Sequence, residues 1–273
     1  PGRQLERIVP GISTAQLYLP DGNVVDLGKD SVCDLQLLEG ARFVNERGTL
    51  TYKGDSSEVK VAQYSEVRIP RGGEYKVVLP DGTIVWLNAE SSLRFPTLFT
   101  GKERKVYAKG ELYFDVKHDD TKPFIVEVEK DYSVRVLGTE FNLRAYSGFP
   151  VVTTLVEGRV QVRGVGNTVS LAPGQQALEV SGTRDIKVLD VDVAPYVAWH
   201  EGKFYFVHAP LNSIMEELAR WYDVEVVFEN PAVREECFTI EMQRFDDFNK
   251  VLRLIERTGM VTISVDGHIV TVK

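Results

Sequence analysis

The chain has 273 residues, 43% of them apolar, and 32 basic against 40 acidic side chains, for a formal net charge of −8. That length holds one large domain or two ordinary ones, and the negative charge argues against nucleic acid, whose phosphates call for a basic face. No apolar run reaches the roughly 18 residues of a membrane helix, and Cys33 and Cys237 are too far apart to suggest a disulfide framework or a zinc site.

The chain opens on Pro1 with neither an initiator Met nor a signal peptide, which reads as a processing boundary. The lack of a membrane helix is then expected to describe this fragment. The first pattern is a repeat. Val9-Pro10 precedes Leu17-Tyr18-Leu19-Pro20-Asp21-Gly22-Asn23-Val24-Val25-Asp26-Leu27, and Ile69-Pro70 precedes Val77-Val78-Leu79-Pro80-Asp81-Gly82-Thr83-Ile84-Val85-Trp86-Leu87, 60 positions on. Each copy, 9–28 and 69–88, reads as strand, turn and strand, with Asp-Gly at the centre of a type I′ turn. No residue of the repeat is chemically armed, which points to binding or signalling and away from catalysis.

Short alternating runs follow at 105–108, 112–116, 124–128, 134–136, 141–145, 151–156, 159–162, 169–171 and 176–180, separated by turn residues such as Gly110, Glu157-Gly158 and Pro173-Gly174. Residues 1–197 therefore predict an all-β domain of repeated hairpins, either a sandwich or a solenoid-like stack.

After a connection at 185–200 the pattern changes. Phe204–Val207 reads as a strand. Pro210 suits the start of a helix, and Leu211, Ile214, Met215, Leu218 and Tyr222 lie on one helical face. Glu216 and Arg220 form an i,i+4 pair on another face. Strands at 224–228 and 238–242 come next. A second helix carries the stripe Phe248, Val251, Leu252 and Ile255, capped by Asp246 or Asp247 and ended by Gly259. A hairpin at 261–272 closes the chain. The fold class is mainly β, with a small α+β domain (βαββαβ-like) over 198–273. From residue 200 onward there are 13 acidic and 8 basic residues, so this smaller domain is the more acidic per residue. That is a solvated face in the plainer reading and a docking surface for a basic partner in the sharper one.

Reactive chemistry is sparse. His118, His200, His208 and His268 lack metal-ligand spacing, and His118-Asp119-Asp120 reads as a polar turn. Glu111 and Asp115 would share a strand face about 13 Å apart, too far for a glycosidase pair. Gly164-Val165-Gly166-Asn167 joins two strands and opens no helix, so it is a hairpin turn and not a phosphate loop. The reading is no enzyme, with no catalytic, metal or cofactor residues. Trp221 follows the apolar stripe beside Tyr222, and both cannot face fully inward on an ideal helix. Trp221 is therefore expected to be partly exposed. Arg220, Trp221 and Tyr222 are the candidate partner-binding residues, since Trp is enriched at interface hot spots.

The motifs also carry a resemblance. Leu79-Pro80-Asp81-Gly82-Thr83 with Leu87-Asn88-Ala89 and Ser91, Phe95-Pro96, and Gly110-Glu111 with Tyr113-Phe114 open it. Lys122-Pro123-Phe124-Ile125-Val126, Val136-Leu137-Gly138-Thr139 with Phe141-Asn142, and Leu171-Ala172-Pro173-Gly174-Gln175-Gln176-Ala177 continue it. Trp199, Glu201-Gly202 and Leu218-Ala219-Arg220-Trp221-Tyr222-Asp223-Val224 carry it into the small domain. Together these resemble FecR-type anti-sigma regulators over nearly the whole chain. The resemblance implies the periplasmic portion of a single-pass inner-membrane protein. Its partners would be the N-terminal signalling domain of a TonB-dependent outer-membrane transporter and, through a cytoplasmic segment not in this sequence, an extracytoplasmic-function sigma factor. Its membrane contact would be made only by an N-terminal helix, also outside this sequence. The alternative is a periplasmic carbohydrate-binding β module, which exposed aromatics on a sheet face would support.

Overall fold

The structure, a computed structural model, describes residues 8–36, 42–54, 62–128 and 131–273; Pro1 lies outside them. By contacts the chain forms two compact units. One is Ser13–Val193; the other is Ala194–Lys273 together with residues 8–12.

Among the described residues the larger unit contains eighteen strands. They are β1 (Ile12–Tyr18), β2 (Val24–Gly28), β3 (Cys33–Gln36), β4 (Arg42–Glu46), β5 (Thr49–Lys53), β6 (Tyr64–Arg68), β7 (Gly73–Val78), β8 (Ile84–Leu87) and β9 (Ser92–Pro96). Then come β10 (Arg104–Asp115), β11 (Phe124–Val128), β12 (Tyr132–Val136), β13 (Glu140–Ala145), β14 (Val152–Glu157), β15 (Val160–Arg163), β16 (Thr168–Leu171), β17 (Gln175–Glu179) and β18 (Ile186–Asp190). Two ladders result. The first runs β2-β1-β6-β9-β10-β11-β12-β15-β16. The second runs β3-β4-β5-β7-β8-β10-β13-β14-β17-β18. The chain passes back and forth between the ladders, so layers and progressive winding coexist. The sandwich and stack descriptions each capture part of the arrangement.

Period-2 alternation decides which side chains point inward. In β7 the buried set is Gly73, Tyr75 and Val77. The inward faces of both ladders share one core, where Phe43 of the second ladder meets Phe95 of the first edge-on at 6.0 Å. Strand β10 belongs to both ladders. The sequence reads it as two strands split at Gly110, but it is one strand of 12 residues. Gly110 sits at φ 83° and allows the crossing, since a Cβ there would lie 2.8 Å from the Glu90 carbonyl and 2.4 Å from Ser91 Oγ.

Both repeated hairpins form, but with a different turn from the one expected. Gly82 N–H donates to Leu79 O at 2.9 Å, and Gly22 N–H to Leu19 O at 3.0 Å. The turn centres are therefore Pro20-Asp21 and Pro80-Asp81, and Gly22 and Gly82 follow in the left-handed region at φ 88° and 87°. Pro holds φ near −65°. That suits the first central position of a type I turn followed by a left-handed Gly, the three-residue hairpin loop.

The smaller unit follows the predicted order. It contains one helical turn α1 (Ala194–Val197), β19 (Lys203–Pro210), α2 (Leu211–Tyr222), β20 (Glu225–Phe228), β21 (Cys237–Gln243), α3 (Phe248–Glu256), β22 (Ile263–Asp266) and β23 (Ile269–Val272). β19 pairs with β21 antiparallel, and β20-β23-β22 form a second sheet in which β20 and β23 are parallel. Pro210 is the N-cap of α2 and not its first helical residue. Asp247 caps α3 by accepting from Asn249 N–H at 3.0 Å. All nine residues of the two predicted stripes are buried, and each such side chain contributes about 1.5–3 kcal/mol. Ile8 joins this core although the sequence places it in the β domain.

Candidate docking site

Arg220, Trp221 and Tyr222 sit at the C-terminal end of α2, and all three are buried; Trp221 is 1% exposed. The expected partial exposure of Trp221 does not occur. A helix covered along one stripe would leave that ring at the margin, whereas the end of α2 is covered on two sides. The Arg244–Asp246 turn after β21 folds over it and supplies carbonyls to both rings. Trp221 Nε1–H donates to Arg244 O at 2.7 Å, and Tyr222 Oη–H donates to Asp246 O at 2.8 Å. On the other side, backbone at Gly11 lies so close that a Cβ there would be 2.6 Å from the indole. Burial pushes the Tyr222 phenol well above the usual tyrosine range, reinforced by the nearby charge of Asp246.

Arg244, which sequence reasoning did not single out, is the centre of this cluster. It is fully buried, and its guanidinium lies 3.9 Å from the Trp221 ring centroid and 5.0 Å from that of Phe204. The signal was present in the alternation Phe238, Ile240, Met242, Arg244, which continues the inward face of β21 by one step. Phe245 packs edge-on against Trp221 at 5.6 Å and is 56% exposed, so it brings this cluster to the surface.

The other accessible feature is the outer edge of β20. Glu225 and Glu229 N–H groups donate to His268 O and Val272 O on the β23 side. By strand alternation the backbone groups of Val226 and Phe228 face away from β23, and no backbone bond among the described residues reaches them. Exposed Glu225 and Glu229 flank this edge, and Val227 and Ile269 lie exposed on the outer face of the same sheet. Such an edge can take another strand by main-chain pairing, and the flanking carboxylates, Glu225 and Glu229 (the latter in an exposed 3.4 Å contact with Lys273), favour a basic one.

Among the described residues no group of three or more His, Cys, Asp or Glu is placed to hold a metal ion. Glu111 is buried and accepts from Asn88 Nδ2 at 2.9 Å and Asn142 Nδ2 at 3.1 Å. It ties β10 to β13 and to the residue that follows β8. Asp115 carries a carboxyl raised by burial and by Glu140 beside it. No helix among the described residues is long and apolar enough to cross a membrane.

Two family models match the chain. One, described as FecR protein, covers residues 65–161, and the other, described as FecR, C-terminal, covers residues 203–272. Two crystal structures described as those of a "putative anti-sigma factor" from Parabacteroides distasonis are similar, each at 30% identity and a TM-score of 0.70. They cover 76% and 77% of this chain and 98% of their own. No curated protein matches it. With both models in register along one chain, and 30% identity over nearly all of the P. distasonis protein, this chain belongs to the FecR family.

Proposed function

We propose that this chain is the periplasmic sensor region of a transmembrane anti-sigma factor. It receives a signal from the N-terminal signalling domain of an outer-membrane TonB-dependent transporter and thereby controls an extracytoplasmic-function sigma factor. In this reading the sigma factor is held by a cytoplasmic segment, and the membrane is crossed by a helix, both N-terminal to residue 1. Family membership and the neighbours described as anti-sigma factors support the regulatory role.

The observation that supports a docking role for the C-terminal unit is the free outer edge of β20 with Glu225 and Glu229 at its ends. A strand from the transporter's signalling domain pairs with Val226 and Phe228, and basic residues beside that strand meet the two carboxylates. Arg220, Trp221 and Tyr222 serve this surface from inside. They anchor the end of α2 just before β20 begins and do not themselves touch the partner.

The test is calorimetric titration of this chain with the signalling domain of the transporter encoded beside it, repeated with Glu225→Lys/Glu229→Lys. Saturable binding, weakened roughly tenfold by the double reversal, is the expected result. Binding that the reversal leaves unchanged moves the docking site off β20. Absence of binding with both proteins folded removes the transporter reading.

A further inference from the structure

The outward face of the first ladder carries a groove that the signalling role does not use. Registers place Glu66, Arg94, Tyr107 and Glu127 side by side on β6, β9, β10 and β11, with Arg68, Ser92 and Lys109 in the adjacent row. Ser92 is short between long neighbours, which leaves a depression of about 360 Å³. A second depression of about 540 Å³, bounded by Tyr146–Val151 and by Glu179 and Arg184, adjoins it; Lys109 and Val128 line both. Volumes of this order suit a bound small molecule, here one or two sugar rings each.

Four cations, Arg68, Arg94, Lys109 and Arg184, line the groove against four carboxylates, so its net charge is near zero and what matters is which charges are already paired. Its four carboxylates are all committed to ion pairs: Glu66 with Arg68 at 2.8 Å, Glu127 with Lys105 at 3.1 Å, Glu90 with Arg71 at 3.2 Å and Glu179 with Arg184 at 3.0 Å. Arg94 has no carboxylate within ion-pair reach among the described residues. Its guanidinium is instead stacked over Tyr64 at 4.5 Å and beside Tyr107 at 5.5 Å. Two tyrosines thus hold a planar fork of donors in place at the surface without neutralising it. Exposed aromatic surface completes the groove, with Tyr107 at 38% and Phe149 at 43%.

We propose that this groove binds an acidic oligosaccharide. The carboxylate or sulfate of one sugar engages Arg94 beside Tyr107, and the next sugar passes Lys109 toward Phe149. An extended acidic peptide fits less well. Strands β6, β9, β10 and β11 are each paired on both sides, so the groove floor offers no edge for main-chain pairing. Side-chain donors and aromatic faces are what it presents, and these suit hydroxyl- and acid-bearing rings.

The experiment is calorimetric titration of this chain with tetragalacturonic acid and with a heparin-derived tetrasaccharide. Cellotetraose serves as the neutral probe and hexaglutamate as the acidic peptide probe. Saturable binding of at least one acidic sugar is expected, with neither cellotetraose nor hexaglutamate binding comparably. Arg94→Ala and Tyr107→Ala, both exposed positions, should each weaken Kd roughly tenfold at unchanged Tm. Lys187→Ala, at the exposed edge strand β18, should leave Kd unchanged. The proposal fails if neither acidic sugar binds, if cellotetraose or hexaglutamate binds equally well, or if Lys187→Ala weakens binding as much as Arg94→Ala does.

Discussion

Asp81 Oδ2 lies 2.8 Å from Arg104 Nη1, and this contact separates the two copies of the repeated hairpin. Both turns use the same local bonds. Asp21 accepts from Asn23 N–H and Nδ2, and Asp81 accepts from Thr83 N–H and Oγ1. Only the second turn is built into the core. Arg104 is 2% exposed and also donates to the carbonyls of Lys122, Lys117 and Leu137, so one guanidinium joins the turn to the 116–123 connection and to the residue after β12. Asp81→Ala leaves that buried cation short of its counter-charge and should cost about 3–5 kcal/mol. Asp21→Ala, at the exposed copy, should cost about 1 kcal/mol. Urea midpoints of the two variants check this. Equal losses would mean that the ion pair adds nothing beyond the turn.

The Trp221 environment predicts a folding defect and not a selective binding defect. Trp221→Ala removes a fully buried indole and should cost about 3–5 kcal/mol. Trp221→Phe keeps most of the packing but loses the donor to Arg244 O, which should cost about 1 kcal/mol. Glu225→Lys/Glu229→Lys should stay within about 0.5 kcal/mol of the parent. Circular dichroism during chemical denaturation measures all three. A Trp221→Ala chain as stable as the parent would contradict the burial argument.

Gly110→Ala tests the crossing of β10. The side chain would have to sit at positive φ and press against the Glu90 carbonyl. A loss of about 1–3 kcal/mol from the backbone conformation alone is expected, with the clash adding to it. Gly82→Ala, at positive φ but with open space around the added methyl group, should show the conformational part only. Comparing the two separates strain from crowding.

Alkaline pH should unfold the protein through its buried phenols. Burial raises Tyr75 from 10.0 to about 12 and pushes Tyr132 and Tyr222 upward as well. A folded-state pKa above the unfolded value means that stability is undiminished below about pH 10 and is lost as pH rises through about 12. Tyr75, Tyr132 and Tyr222 should ionise only with a steep loss of the circular dichroism signal. All 11 tyrosines titrating together near pH 10 in a folded chain would contradict this.

The legible parts of the fold are those governed by local period. The stripes from Leu211 to Tyr222 and from Phe248 to Ile255 were readable because a helix face recurs every three or four residues. The strands of the β unit were readable from alternation and turn residues. Turn type depends on the Pro before Asp-Gly as well as on Asp-Gly itself, since its fixed φ moves the turn back by one residue. The burial of Trp221 was not readable from α2 alone, because its cover comes from Gly11 and the Arg244–Asp246 turn.

By itself, then, the sequence determined the element order, the inward faces, the repeat and the family, since each depends on residues close in the chain or on motifs read in order. Tertiary structure alone decided which copy of the repeat became a buried node, whether Trp221 met solvent, and where Arg94 came to lie. Those outcomes depend on contacts between segments tens of residues apart. Arg94 stands beside Tyr64 and Tyr107 only because β6, β9 and β10 are neighbours in one ladder, and side-chain period within any one of those strands carries no record of its neighbours.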